Sequence, residues 1–152
     1  MNRGLCAIAA VALAVGLTGT ACGKSDTGST ATSTSSAAPV AADQLPGLVP
    51  TPANTGDKKG PDSIGDNGIH LHFEVNSPPS DAMAAFKSAL TDKGWAVTTI
   101  VTSGGPGGGG ATYTGTNGAA YGVFDGGGFN TTTFINVCVW PSKPADPNCT
   151  RS

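Results

Sequence analysis

The chain predicts an α+β fold, a two-layer sandwich with one helix on a sheet of 4–5 mainly antiparallel strands. Three observations carry that expectation. Residues 69–75 alternate apolar and polar side chains. Residues 77–94 hold apolar side chains at helical spacing, between a Ser-Pro start and a glycine stop. Residues 95–140 read as strands divided by glycine and Asn-Gly turns. One helix packed on one face of one sheet is the simplest way to bury these patterns together.

The first strand directs Ile69, Leu71, Phe73 and Val75 to one side, and His70, His72 and Glu74 to the other. Period-two alternation marks a half-buried strand with one wet face. Ser77 then stands where a helix cap is expected, and Pro78 and Pro79 open the helix where a missing N–H costs nothing. Asp81 lies in the first turn, on the favourable side of the helix dipole. Met83, Phe86 and Leu90, with Ala82, Ala85 and Ala89, form the apolar stripe, while Lys87, Asp92 and Lys93 stay in water. Gly94 suits a left-handed helix end, and Trp95 is expected to fold back as a core anchor.

Residues 95–102, rich in Val, Thr and Ile, read as a second strand, and residues 104–110 as a flexible glycine loop. Residues 111–116 and 119–124 flank Asn117-Gly118, a strong hairpin signal. Gly126-Gly127-Gly128 turns the chain again, and residues 131–140 form a long final strand with Phe134, Ile135, Val137 and Val139.

Ahead of this domain the composition changes. Residues 1–21 comprise a short basic start with Arg3, a compact apolar run and a small-residue close, the layout of a secretory signal peptide. The run is too short for a bilayer span, which takes about 20 apolar residues. Residues 22–62 are mainly Ser, Thr, Ala, Pro and Gly. Ordering such a segment costs about 1–2 kcal/mol per residue with little to bury, so a disordered tether is expected, its Leu45, Leu48 and Val49 solvated. About 40 such residues reach roughly 35 Å. Residues 63–152 are left for the one small domain.

The 152 residues carry a formal net charge of −2, and charged residues make up 12%. Nucleic acid is not expected as a partner, because it calls for a basic patch. A polybasic membrane footprint is excluded on the same ground. Of four cysteines, Cys6 leaves with the leader. In an exported chain Cys138 and Cys149 are expected to pair, which would constrain the unfolded chain by roughly 3 kcal/mol. Cys22 is then the odd one out.

The segment Leu17-Thr18-Gly19-Thr20-Ala21-Cys22 resembles the lipobox of bacterial lipoproteins. Thr20 and Ala21 match the small positions and Cys22 the modified residue, while Gly19 stands where an aliphatic residue is usual. The resemblance implies a diacylglyceryl thioether on Cys22, cleavage before it, and often an acyl chain such as palmitate on the new amino terminus. Two or more chains anchor firmly. Residues 69–140 also resemble a small domain of actinobacterial, including mycobacterial, secreted lipoproteins, through Ser77-Pro78, Phe86, Gly94-Trp95 and the glycine loops. That resemblance implies a fold and an extracytoplasmic address, not an activity.

For chemistry, His70 and His72 could supply two metal ligands from one strand face, although no third ligand is identifiable. The glycine run lacks the Gly-Lys-Ser/Thr ending of a phosphate loop, and no Gly-x-Ser-x-Gly elbow is present. The expected protein is therefore a membrane-anchored envelope lipoprotein, monomeric, without catalytic residues or cofactor. It displays a binding or structural domain for an envelope protein or ligand, with Trp140, Tyr121 and Phe129 as candidate contact aromatics. The second reading is a secreted or lipid-anchored accessory protein that binds metal or hydrolyses a substrate.

Overall fold

A computed structural model of the chain describes residues 38–150. The leader, Cys22 and the tether as far as residue 37 lie outside the described residues.

The alternation over residues 69–75 produces β2 (Gly68–Val75), whose apolar side chains all face the core. The remaining strands are β1 (Thr55–Ile64), β3 (Ala96–Gly105), β4 (Gly108–Asn117), β5 (Ala120–Phe129) and β6 (Thr132–Trp140). They form a single antiparallel sheet in the order β1-β2-β6-β5-β4-β3. The sheet therefore has six strands, not 4–5. The unforeseen strand is β1, most of which falls in the expected tether. It is an edge strand of polar and charged residues, exposed along almost its whole length. With no apolar side to bury, it has no alternation to read. Lys58, Lys59, Pro61 and two register shifts mark it as an edge guarded against further pairing.

Ahead of β1, a 3₁₀ turn (Ala42–Gln44) runs into the short helix α1 (Leu45–Leu48). The solvated tether expected here gives way to docking. Leu45 is fully buried, Val49 nearly so, and the Leu48 carbonyl accepts a hydrogen bond from Trp95 Nε1 at 2.9 Å. Burying one such aliphatic side chain stabilises by about 1.5–3 kcal/mol, which offsets the entropy of ordering a few residues.

The long helix α2 (Pro79–Asp92) begins with a proline at its first position. Ser77 does not cap it. Its Oγ accepts from Asn54 Nδ2 at 2.9 Å, and its carbonyl accepts from Thr133 Oγ1 at 2.7 Å. The helix ends as expected on Gly94, at φ +89°. Gly94 N–H donates to Thr91 O and Trp95 N–H to Leu90 O, the paired bonds of a Schellman close. That turn drives Trp95 into the core, edge-on to Phe124 at 5.1 Å. Met83, Phe86 and Leu90 pack with Leu71, Phe73, Phe124, Ile135 and Val137 between helix and sheet. Ala85 is exposed, so the stripe is narrower than expected.

Both glycine segments expected to turn are mostly strand. β3 and β4 are joined by Pro106 and Gly107 alone, and β5 runs through Gly126, Gly127 and Gly128 to Phe129. Local propensity yields here to close approach between strands. A Cβ on Gly110 would collide with the Gly126 carbonyl, and one on Gly128 with the Thr132 carbonyl.

Candidate functional site

Where the apolar residues of a strand face a helix, their neighbours must face the other way. On this sheet those neighbours line up across the strands. Thr112 lies opposite Asp125, Asp125 opposite Asn136, Asn136 opposite His72, and His72 opposite Lys59. The row crosses β4, β5, β6, β2 and β1, with Val101 of β3 at its end.

The row is hydrogen-bonded internally. Thr112 Oγ1 donates to Asp125 Oδ1 at 2.5 Å. Asn136 Oδ1 lies 3.2 Å from His70 Nε2 and 3.1 Å from His72 Nδ1, so each ring can donate to it. His70, Asp125 and Asn136 are almost wholly buried, and every buried polar side-chain atom among the described residues has a partner. His72 is half-buried and stacks on Phe134, with ring centroids 6.0 Å apart, and Phe134 is 43% exposed. Beside the row, Gly110 and Gly127 pave a groove of about 280 Å³ walled by Val101, Ser103, Thr112 and Asp125.

The other end of this face is closed by the carboxy-terminal tail. Cys138 and Cys149 form the expected disulfide. With Val123, Trp140, Ile64 and Tyr121 they make a second, smaller core. A cavity of about 410 Å³ opens there, lined among others by Asp66, His70, Cys138, Trp140, Asp146 and Asn148.

The histidines share the non-core face with Glu74, as expected, but the row is not uniformly wet, because His70 is 9% exposed. The candidate aromatics do not converge. Trp140 is buried, not an exposed contact residue, and its Nε1 donates to Gly65 O at 3.0 Å. Tyr121 packs on Trp140, with ring centroids 6.5 Å apart, and Lys143 Nζ lies 5.3 Å from the Tyr121 ring. Phe129, 63% exposed, is at the far end of β5, about 27 Å away at roughly 3.4 Å per residue.

Asn136, Asp125 and Thr112 are the residues that sequence reasoning missed. The hairpin signal pointed toward them, but the observed two-residue loop is Gly118-Ala119, not Asn117-Gly118. The expected turn would have put Thr112 opposite Val123, whereas the true register puts it opposite Asp125.

On the core side, burial pushes the Tyr113 hydroxyl above its ordinary pKa of 10.0. That hydroxyl donates to Met83 O at 3.3 Å.

Comparisons with protein-family models, with curated proteins and with solved structures found no match to this chain.

Proposed function

We propose that the chain is an exported, lipid-anchored envelope protein whose domain is a non-catalytic binding module working through the sheet face away from α2. The leader, the cysteine at position 22 and the Ser/Thr-rich tether support the anchoring. The observation that carries the binding reading is the transverse row itself. Its hydroxyl, carboxylate, amide and imidazole groups are hydrogen-bonded in neighbouring pairs on four strands of one sheet. Fixed polar groups beside a partly exposed ring suit a ligand that offers hydroxyls or amides along an apolar edge. Lipid anchoring would hold that face outside the membrane.

Photo-crosslinking in the native envelope tests this. A benzophenone side chain is placed at Phe134 on the row or at Ala85 on the exposed side of α2. Discrete adducts are expected from position 134 and none from 85. Equal adduct patterns from both positions, or none from 134, contradict the reading.

A further inference from the structure

We propose that reduction of the Cys138–Cys149 disulfide opens a site for a thiolate-preferring divalent metal of the zinc class, formed by His70, Cys138 and Cys149. This goes beyond the binding reading and does not depend on lipid anchoring.

The three donors are gathered before reduction. One ligand atom from each of the three residues lies within 4.8 Å of the other two. His70 and Cys138 are directly opposed on β2 and β6, so the sheet fixes two of the three donors. Cys149 reaches the third place from the tail, its Cα 5.5 Å from that of Cys138. Tetrahedral zinc, with metal–sulfur bonds of about 2.3 Å and metal–nitrogen bonds of about 2.0–2.1 Å, sets its donors roughly 3.5–3.8 Å apart. Once the sulfurs are no longer bonded, a modest shift of the tail side chain suffices, while Cys138 and His70 stay in their strands.

The surroundings fit the same metal. His70 Nε2 is hydrogen-bonded to Asn136 Oδ1, which leaves Nδ1 for coordination. An imidazole oriented through its second nitrogen is the usual arrangement of a metal-ligating histidine. Two thiolates and a neutral imidazole cancel the charge of a divalent ion, so a nearly buried centre is not left with net charge. Soft sulfur with one nitrogen selects zinc-like ions over calcium or magnesium. The fourth position would face the cavity lined by Asp66, Trp140, Asp146 and Asn148, where water can enter. This set differs from the His70–His72 pair expected from sequence. His72 lies outside the cluster and is tied by Nδ1 to the same Asn136 oxygen.

The chemistry balances simply. A dithiol reductant delivers two electrons and two protons to the disulfide, giving two thiols and becoming a disulfide itself. The metal ion then binds both sulfurs as thiolates and releases their two protons. The tail thus has two alternative clasps, one covalent when oxidised and one metallic when reduced.

The test uses the full chain with Cys6→Ser and Cys22→Ser, so that Cys138 and Cys149 supply the only thiols. The chain is reduced with a phosphine, which competes less for metal than a dithiol, and titrated with cobalt(II) under nitrogen. One cobalt per chain is expected, with thiolate-to-cobalt charge-transfer absorption that one equivalent of zinc abolishes. The oxidised chain should give no such band. His70→Ala and His70→Gln should each weaken cobalt binding by at least tenfold. His72→Ala should bind like the parent. No charge-transfer band in the reduced chain overturns the proposal. So does a band that both His70 variants leave unchanged, since two cysteines alone, folded or not, would then account for it.

Discussion

The two faces of the sheet are built on different principles. The face under α2 is apolar and close-packed, with Phe73, Phe86 and Phe124 fully buried between the layers. The opposite face carries a polar row, a glycine-floored groove and a disulfide-pinned tail. The first face has one task, exclusion of water, and any well-fitted apolar set performs it. The second holds hydrogen-bonding groups in places set by the strand register, where any well-fitted apolar set would not serve. The difference teaches where to look for function: one side of the single sheet is a packed apolar core, and the other holds polar groups at positions set by register.

The hardest way to break the comparison is at its apolar side. Phe124→Ala removes the ring that meets both Phe86 and Trp95, and should cost about 3–5 kcal/mol. Urea unfolding followed by tryptophan fluorescence measures it. A loss below about 1 kcal/mol would show that the helix face is not the main source of stability.

Cys138→Ser with Cys149→Ser attacks the other side. The two cysteines are 11 residues apart in sequence, and the unfolded chain regains roughly 3 kcal/mol of freedom on losing the link. The near-ultraviolet signal of Trp95 should survive, because its contacts lie on the helix face. Collapse of that signal would mean that the two faces are not separable.

These two effects correspond to what could be read from sequence and what could not. The helix face was legible because burial imposes a period on each segment separately. Ile69, Leu71, Phe73 and Val75 announce a strand, and Met83, Phe86 and Leu90 a helix, with no knowledge of their partners. The disulfide was legible by counting cysteines. β1 was not, because an edge strand of Asp, Lys, Gly and Pro has nothing apolar to repeat. The glycine strands were hidden because glycine's local preference is for turns, and only the ladder opposite shows why no side chain fits. The row was hidden most deeply. Its members are scattered from Lys59 to Asn136 and are brought together only by register. A register displaced by the placement of one turn was enough to conceal the Thr112–Asp125 contact.

A smaller effect is expected at Asn136. Asn136→Leu takes from His70 and His72 the oxygen on which both converge. Loss of a buried acceptor costs about 1–3 kcal/mol. Chemical denaturation measures the loss, and the imidazole proton resonances of both histidines should move. Unchanged resonances would mean that the row is not a connected unit.

The smallest effect sharpens the helix side by pH. Tyr113 is buried against Met83, and its pKa lies above 10.0 in the folded chain. Below pH 10 the hydroxyl is protonated in both folded and unfolded chains, and its contribution is fully present. Above that pH the unfolded chain loses the proton first, so stability falls until the folded pKa is passed. Tyr113→Phe should flatten this alkaline decline in thermal melts taken from pH 8 to pH 11. A decline of equal slope in the variant would assign it to other groups.

The proposed lipid-anchored display of the polar face is tested most directly by the mass of the mature amino-terminal peptide from membranes of the native host. The account predicts a chain that begins at Cys22 and carries a diacylglyceryl thioether. A chain that begins elsewhere, or at an unmodified Cys22, contradicts it.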